Sequence, residues 1–288
     1  MSFSSDVRAE LSKNISGARH CQLAELSALM HFCGQYGQDK EGNLTLGFQT
    51  ENEAVVRKGF TLLKKTFNID LGSTLDGEEK ERVIAKLGDL SAPVNPLVVK
   101  NTCCQRAYLR GAFLCVGSMS DPEKGYHMEF VCAQEPQAMQ LQEIIKGFGI
   151  EAKIVLRKKY YVVYLKEGSS IVDLLGVMEA HISLMNFENL RILKEMRNSI
   201  NRKVNCETAN IAKTVNAASK QVEDIMILRD HYGLHNLQPS LREIAEVRLE
   251  YPEATLKELG EMLDPPVGKS GVNHRLRKLS ELASKIRA

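Results

Sequence analysis

The chain has 288 residues, and its 38 basic and 36 acidic side chains leave a formal net charge of +2. No apolar run reaches the ~18 residues that a membrane-spanning helix needs, and the first residues lack the apolar stretch of a signal peptide. These features exclude membrane and exported classes, so we expect a cytoplasmic protein long enough for one full core and a second, smaller one.

The seven cysteines are odd in number and follow no C-x-x-C spacing. Zinc sites and disulfide frameworks show regular spacing or paired cysteines, so the sequence predicts no metal, no cofactor and no disulfide framework. The thiols of Cys103, Cys104 and Cys115 are interpreted as buried groups in a reducing cytosol. Single histidines such as His31 and His181 are expected to pack in the core or to face solvent.

Residues 6–15 are predicted to form a short helix, and two related nonapeptides follow at 26–34 and 109–117. Each begins with Leu, has a small residue at its third position and ends in Gly. Glycine inside a helix costs about 1 kcal/mol, so Gly111 indicates that a second helix approaches closely at this point. The partner is expected to be the upstream nonapeptide, and Gly117 is expected to end its helix in a left-handed turn.

The segments after the two nonapeptides also correspond. Alternating apolar side chains predict a strand at residues 44–50 and another at 126–133. Each leads into a predicted helix, and further strands are predicted in both halves, most clearly at 153–157 and 160–165. The charged residues 76–82 are predicted as a surface loop. The order helix, strand, helix, strands therefore occurs twice, which indicates an internal repeat.

The two nonapeptides resemble degenerate LAGLIDADG motifs of homing endonucleases. The resemblance implies motif helices paired at a pseudo-twofold axis under a saddle-shaped antiparallel sheet. In that family an acidic residue before each final glycine holds the divalent metals for DNA cleavage. Those positions are Cys33 and Val116 here, so the resemblance implies the scaffold without metal, catalytic residues or enzyme activity. Nearby acidic residues are interpreted as solvated turn residues rather than a relocated metal site: Asp39, Glu41, Asp121 and Glu123.

Residues 169–180 are predicted to close the second half as a helix. Between residues 191 and 203 there are five basic side chains and one acidic side chain, without a clear apolar stripe. This segment is interpreted as an exposed basic connector that contacts phosphate groups, and the alternative is a solvated face without a partner.

Residues 207–232 show helical spacing, and Gly233 is expected to end that helix. Two capping boxes, in which Ser240 or Thr255 is followed three residues later by Glu, predict two further helix starts. Ser270 is expected to cap a last helix, whose apolar stripe steps by four and three residues and therefore forms core.

The last helix is basic on its other side. Residues 268–288 carry six Lys and Arg against one acid, whereas residues 207–264 carry six against eleven. This segregation predicts a helix-turn-helix whose last helix enters the major groove of DNA. A helical bundle that happens to end in a basic helix is the alternative. The residues predicted to bind DNA are Thr255, Lys257, Lys269, Ser270, Asn273, His274, Arg275, Arg277 and Lys278.

The combination resembles the WhiA family of sporulation and cell-division regulators, most specifically at residues 205–210 and 272–279. We therefore predict an α+β domain of two LAGLIDADG-like αββα repeats at residues 1–190. A basic linker at 191–206 and an all-α helix-turn-helix domain at 207–288 are predicted to follow.

The resemblance implies a non-enzymatic transcriptional regulator that binds promoter DNA as a nucleoid-associated protein and acts in sporulation, cell division and chromosome segregation. It also implies partners such as an RNA polymerase sigma factor or a WhiB-type iron–sulfur protein. Two alternatives stay open. One is a nuclease with unrecognised acidic residues, and the other is a protein-interaction module that docks on RNA polymerase or division proteins and binds DNA secondarily.

Overall fold

The computed structural model describes residues 2–38, 40, 44–70 and 77–287. The chain forms two compact units, Met1–Met196 and Arg197–Ala288. Asp39, Glu41 and Asp76, for which the sequence made predictions, lie outside the described residues. Within the described residues no helix combines the length and the apolar character needed to cross a membrane.

The first unit begins with a short helix and the first repeat. Its elements are α1 (Phe3–Lys13), α2 (Arg19–Cys33), β1 (Gly34–Gln38), β2 (Leu44–Phe48), α3 (Glu53–Phe67) and α4 (Gly77–Leu87). The prediction of a surface loop over residues 76–82 is wrong, because α4 begins at Gly77. Its buried Val83 and Leu87 lie one helical turn apart and anchor the charged segment to the core. No strand is described between α3 and the second repeat, contrary to expectation.

The second repeat has the same order and two additional strands. Its elements are α5 (Thr102–Val116), β3 (Gly117–Met119), β4 (Met128–Cys132), α6 (Glu135–Lys146), β5 (Lys153–Arg157), β6 (Tyr160–Leu165) and α7 (Gly168–Val177). Strands β1 and β2 form one antiparallel pair, and a four-stranded antiparallel sheet has the order β3-β4-β6-β5. The predicted fold class, with two αββα repeats before a helical region, is confirmed.

The two motif helices, α2 and α5, pack closely. A Cβ atom on Gly111 would lie 2.7 Å from the carbonyl oxygen of Glu25 and 2.8 Å from the Cβ of Ala28. The predicted close approach at Gly111 is therefore confirmed. The left-handed turn expected at Gly117 is wrong, because this residue has φ −80° and ψ 144° and continues directly into β3.

Charged side chains pair with one another at this helix pair, and Glu25, Lys58 and Arg110 among them are buried. The Arg110 guanidinium donates to Glu25 Oε1 (3.0 Å) and to Glu179 Oε2 (2.6 Å). The ammonium group of Lys58 pairs with the same Glu25 carboxylate and donates to the carbonyl oxygen of Leu11 (2.7 Å). Burial by itself would lower the pKa of Arg110. The carboxylates of Glu25 and Glu179 have the larger combined effect, so the pKa of Arg110 is raised. Burial lowers the pKa of Lys58.

The second unit is helical. Helix α8 (His181–His231) begins in the first unit and ends in the second, and the following elements are a 3₁₀ turn (Leu234–Asn236), α9 (Pro239–Glu250), α10 (Leu256–Glu261) and α11 (Lys269–Arg287). The helix predicted from residue 207 therefore begins at His181 and includes the connector. Buried side chains from α8 to α11, such as Ile225, Ile244, Leu259 and Leu276, form the core of this unit.

Two predicted helix caps differ from the structure. Helix α9 begins at Pro239 after an N-cap at Gln238, so the capping box at Ser240 is wrong. Proline suits the first helical position because its missing N–H would have no partner there, and the helix starts two residues earlier than predicted. Ser270 is likewise not a cap, since α11 already begins at Lys269. The capping box at Thr255 is confirmed.

Candidate nucleic-acid interface

The turn between α10 and α11 depends on a close backbone contact. The backbone N–H of Val267 donates to the carbonyl oxygen of Gly260 (2.9 Å). A Cβ atom on Gly260 would lie only 2.0 Å from the carbonyl oxygen of Val267. Only glycine allows the chain to return this closely over α10. The contact therefore positions the start of α11.

Helix α11 has two different faces. Val272, Leu276 and Leu279 are buried in the core, as their spacing predicts. The exposed side chains on the opposite side are Asn273, His274, Arg277 and Lys278. Lys269 and Ser270 are also exposed, at the beginning of the helix. The helix therefore presents a row of polar and basic side chains near its N-terminus.

Arg275 differs from the other predicted DNA-binding residues. Its side chain is only 24% exposed, and Nη1 lies 3.7 Å from Glu243 Oε2 and donates to the carbonyl oxygen of Ser240 (3.4 Å). Glu243 also accepts a hydrogen bond from the backbone N–H of Asp264 (2.8 Å). Arg275 thus joins α11 to α9, and its side chain is turned away from the exposed row.

A cleft of about 1230 Å³ lies beside the start of α11. Four of the predicted DNA-binding residues line it: Thr255, Lys257, Lys269 and Asn273. Lys213 of α8 adds a third ammonium group, although nothing in the sequence pattern had singled it out. Glu223 and Glu253 also line the cleft. The cleft brings side chains from α8, α10 and α11 to one surface.

Lys257 in the cleft and Arg277 in the exposed row of α11 each pair with an acidic side chain one turn further along the same helix. Lys257 Nζ lies 3.7 Å from Glu261 Oε1, and Arg277 Nε lies 3.5 Å from Glu281 Oε1. Exposed pairs of this kind contribute about 0.3–0.5 kcal/mol. A phosphate or a base edge can therefore replace the acid at small cost.

The N-terminus of α10 is held by reciprocal hydrogen bonds. The Thr255 hydroxyl accepts from the backbone N–H of Glu258 (3.3 Å), and the Glu258 carboxylate accepts from the backbone N–H of Thr255 (2.7 Å). The bond from the backbone N–H of Thr255 lowers the pKa of Glu258. Before α10, the buried Arg248 guanidinium donates to the carbonyl oxygen of Ala254 (2.7 Å) and fixes the loop. Burial lowers the pKa of Arg248.

The positions that carry acids in LAGLIDADG nucleases hold no carboxylate here. Cys33 is joined to Cys115 by a disulfide, and Val116 is half-buried at the end of α5. The interpretation of Cys115 as a buried thiol is therefore wrong, and its pairing with Cys33 has no local spacing signal because it joins the two repeats. Cys104 is buried as expected, whereas Cys103 is exposed. Asp121 and Glu123 lie exposed in a turn, where Asp121 Oδ1 accepts from the backbone N–H of Glu123 (3.0 Å).

The predicted basic connector is partly bound to the first unit. Arg191 donates to both oxygens of Glu188, at 2.7 and 2.6 Å. Lys194 lies 4.9 Å from the ring centroid of Tyr126. The interpretation of the whole segment as an exposed connector is therefore wrong at these two residues. Tyr126 belongs to the folded repeat, which the local sequence does not show, whereas Glu188 lies one turn earlier on α8.

Three family descriptions match successive parts of the chain. The WhiA N-terminal LAGLIDADG-like domain matches residues 19–75, the WhiA LAGLIDADG-like domain matches 105–197, and the WhiA C-terminal HTH domain matches 200–283. The helix-turn-helix assignment thus falls on the unit that contains the cleft and the exposed row of α11.

Curated relatives agree with this assignment. "Probable cell division protein WhiA" of Lachnoclostridium phytofermentans is 56% identical, and the match covers 100% of both chains. The protein of the same name from Alkaliphilus oremlandii is 49% identical over 99% of this chain and 98% of its own. The crystal structure of full-length DUF199/WhiA from Thermatoga maritima has the same fold, with a TM-score of 0.61 at 23% identity over 99% of each chain. The chain therefore belongs to the WhiA family.

Proposed function

We propose that this protein is a sequence-specific DNA-binding regulator of transcription and that α11 is its recognition helix. The exposed polar row of Asn273, His274 and Arg277, opposite a buried apolar face, is the observation that carries this proposal. A recognition helix contacts base edges with its N-terminal residues while its other face packs on the supporting helices. The family match supports DNA binding by this unit.

The side chains of α11 have distinct proposed roles. Arg277 can donate two hydrogen bonds to guanine, and Asn273 can form a bidentate pair with adenine, each worth ~1–3 kcal/mol of discrimination. Lys269, Ser270 and Lys278 contact phosphates at the groove edges. Lys257, next to the Thr255 cap at the start of α10, contacts a further phosphate with its exposed ammonium group. Arg275 supports α11 through Glu243 and contributes positive charge.

The process and partners are part of the same proposal. Because the relatives are named cell division proteins, we place this regulator at promoters of division, sporulation and chromosome-segregation genes, in the cytoplasm and on the nucleoid. An RNA polymerase sigma factor or a WhiB-type protein is its proposed protein partner.

We further propose that the protein has no nuclease activity. Magnesium-dependent cleavage needs carboxylate oxygens shared between metal ions, and Cys33 and Val116 supply none. Full-length protein incubated with plasmid DNA and Mg²⁺ or Mn²⁺ is expected to leave the DNA intact. Specific cleavage that survives repurification would contradict this part of the proposal.

A protein-interaction module is a second candidate function, because α8 exposes a run of apolar side chains. Ile192, Leu193 and Met196 are each 47–57% exposed. Chromosomal occupancy of full-length protein with both Asn273→Ala and Arg277→Ala separates the two functions. Loss of occupancy supports DNA reading by α11, whereas unchanged occupancy supports recruitment by another protein.

The Arg277→Ala variant is expected to relax base preference at one position of the binding site, at a cost of ~1–3 kcal/mol for the preferred base. The preferred sequence is first selected from a random duplex library with full-length protein, and affinities for all four bases are then compared. Uniform loss of affinity with unchanged preference would show that Arg277 contacts phosphate instead.

The Lys278→Ala variant is expected to weaken binding to all sequences alike. Loss of one phosphate contact releases one counterion fewer, so the slope of log K against log salt concentration should decrease by about one. Lys285→Ala is the matched control, because Lys285 is exposed on the same helix two turns further from the N-terminus. If the salt dependence of binding had the same slope in both variants, the proposed phosphate contact of Lys278 would be contradicted.

A further inference from the structure

Four potential metal ligands meet where the two motif helices begin. His20 and Cys21 are the second and third residues of α2, and Cys103 and Cys104 are the second and third residues of α5. The imidazole nitrogen and the three sulfur atoms all lie within 4.8 Å of one another. Local spacing does not show this group, because two adjacent pairs far apart in sequence form it.

The internal repeat explains why these side chains converge. His20 and Cys103 are 83 residues apart, which is also the offset between the two nonapeptides. Cys21 and Cys104 have the same offset. The four residues are therefore two pairs of equivalent positions in paired helices. Side chains at equivalent positions near the start of such helices face one another across the pseudo-twofold axis.

The distances fit a single tetrahedral ion. His20 Nδ1 lies 3.2 Å from Cys104 Sγ, 3.3 Å from Cys21 Sγ and 4.0 Å from Cys103 Sγ. With zinc–sulfur bonds of ~2.3 Å and zinc–nitrogen bonds of ~2.0–2.1 Å, a regular tetrahedron has nitrogen–sulfur edges of about 3.5 Å. Small shifts of exposed His20 and Cys103 would equalise the observed edges.

The cluster lies at two helix N-termini and is partly shielded from water. The first turns of α2 and α5 carry no acidic side chain, and both helix N-termini direct their partial positive charge toward the thiolates. Cys21 and Cys104 are buried beside Ala24 and Ala107, whereas His20 and Cys103 are exposed. The inner ligands are thus shielded from water, and the outer ligands leave a path for an ion.

We propose that His20, Cys21, Cys103 and Cys104 bind one zinc ion. A Cys₃His set is a known structural zinc ligand set, and thiolates do not suit magnesium or calcium. Four protein ligands leave no open coordination position, so the ion would be structural. It would join the N-terminal ends of α2 and α5. This proposal is independent of DNA binding by α11, and it differs from the prediction of a metal-free chain made from cysteine spacing.

The test is the metal content of full-length protein purified without chelator from zinc-supplemented cells. Mass spectrometry is expected to find about one zinc per chain, since the site is a single closed tetrahedron. Cys103→Ser and His20→Ala, both at exposed positions, are expected to lose most of this zinc. Cys206→Ser is the matched control, because Cys206 is an exposed cysteine on α8, and it should retain the wild-type content.

Cobalt and thiol measurements complete the test. Cobalt added to the metal-free protein should produce thiolate charge-transfer bands and intense tetrahedral ligand-field bands. Chelation should lower Tm, and zinc but not magnesium should restore it. The denatured, unreduced protein should show the five free thiols of the structure. Absence of zinc from the wild type, zinc retained in Cys103→Ser, or loss of two thiols to a disulfide among the three cluster cysteines would each overturn the proposal.

Discussion

Replacing Arg110 with methionine is expected to lower the free energy of unfolding of the first unit by about 3–5 kcal/mol. The substitution keeps much of the side-chain volume but removes the charge that faces Glu25 and Glu179. Arg110 and Glu25 are almost fully buried, so water cannot replace the guanidinium, and the Glu25 carboxylate keeps only Lys58 as a cationic partner. A buried charge that loses one of its partners without gaining water is among the larger destabilising effects of a single substitution.

The measurement is chemical denaturation of the full chain followed by circular dichroism, with calorimetry to separate the transitions of the two units. Arg57→Ala is the control, because Arg57 pairs with Glu53 at 3.2 Å but both side chains are more than three-quarters exposed. Its effect should stay within about 0.5 kcal/mol. An Arg110→Met effect as small as that of Arg57→Ala would show that Lys58 alone is enough to stabilise the Glu25 carboxylate.

Local patterns were sufficient for much of the fold. The four-and-three stripe of α11 predicted Val272 and Leu276 in the core, and both are buried there. Gly111 predicted a close helix contact, because glycine destabilises a helix interior unless a side chain there would collide with a neighbour. The neighbouring atom is the carbonyl oxygen of Glu25. Thr255 and Glu258 predicted a helix start because a capping box is local chemistry that depends on no distant residue.

Local sequence patterns did not predict contacts between segments that are distant in sequence. The Cys33–Cys115 disulfide and the contact of Arg275 with Glu243 depend on which helices become neighbours. The segment of α4 looked like a loop because its charged side chains outnumber its apolar ones, although Val83 is enough to anchor one face. The four proposed zinc ligands, which include His20, were missed for the same reason as the disulfide.

The motif helices show how a LAGLIDADG scaffold is stable without acids at the usual positions. In a nuclease, carboxylates before the motif glycines must remain available to metal ions. Here the charged groups lie further back along the helices, where Glu25 and Arg110 pair directly. A carboxylate held by two cations in the core stabilises the helix pair but cannot reach DNA. The pairing of Glu25 with Arg110 therefore joins the two motif helices.

The Gly260→Ala substitution is expected to destabilise the second unit by about 1–3 kcal/mol and to weaken DNA binding. Alanine normally stabilises a helix relative to glycine, by ~0.4–1 kcal/mol where the backbone allows it. At this position the new methyl group would lie 2.0 Å from the carbonyl oxygen of Val267. Because this oxygen belongs to the backbone and not to a flexible side chain, the turn and the start of α11 must shift to make room for the methyl group.

Gly268→Ala is the matched control, since it adds the same methyl group in the same turn, where no atom lies within 4 Å. Its cost should stay below about 1 kcal/mol, the usual loss when alanine replaces a residue at a helix N-terminus. Calorimetry of the full chain should show the Gly260→Ala effect in the transition of the second unit only. Because a shift of α11 displaces Asn273 and Arg277 together, discrimination between preferred and random DNA should decrease along with stability. Stability and discrimination equal to those of Gly268→Ala would show that the turn does not position the recognition helix.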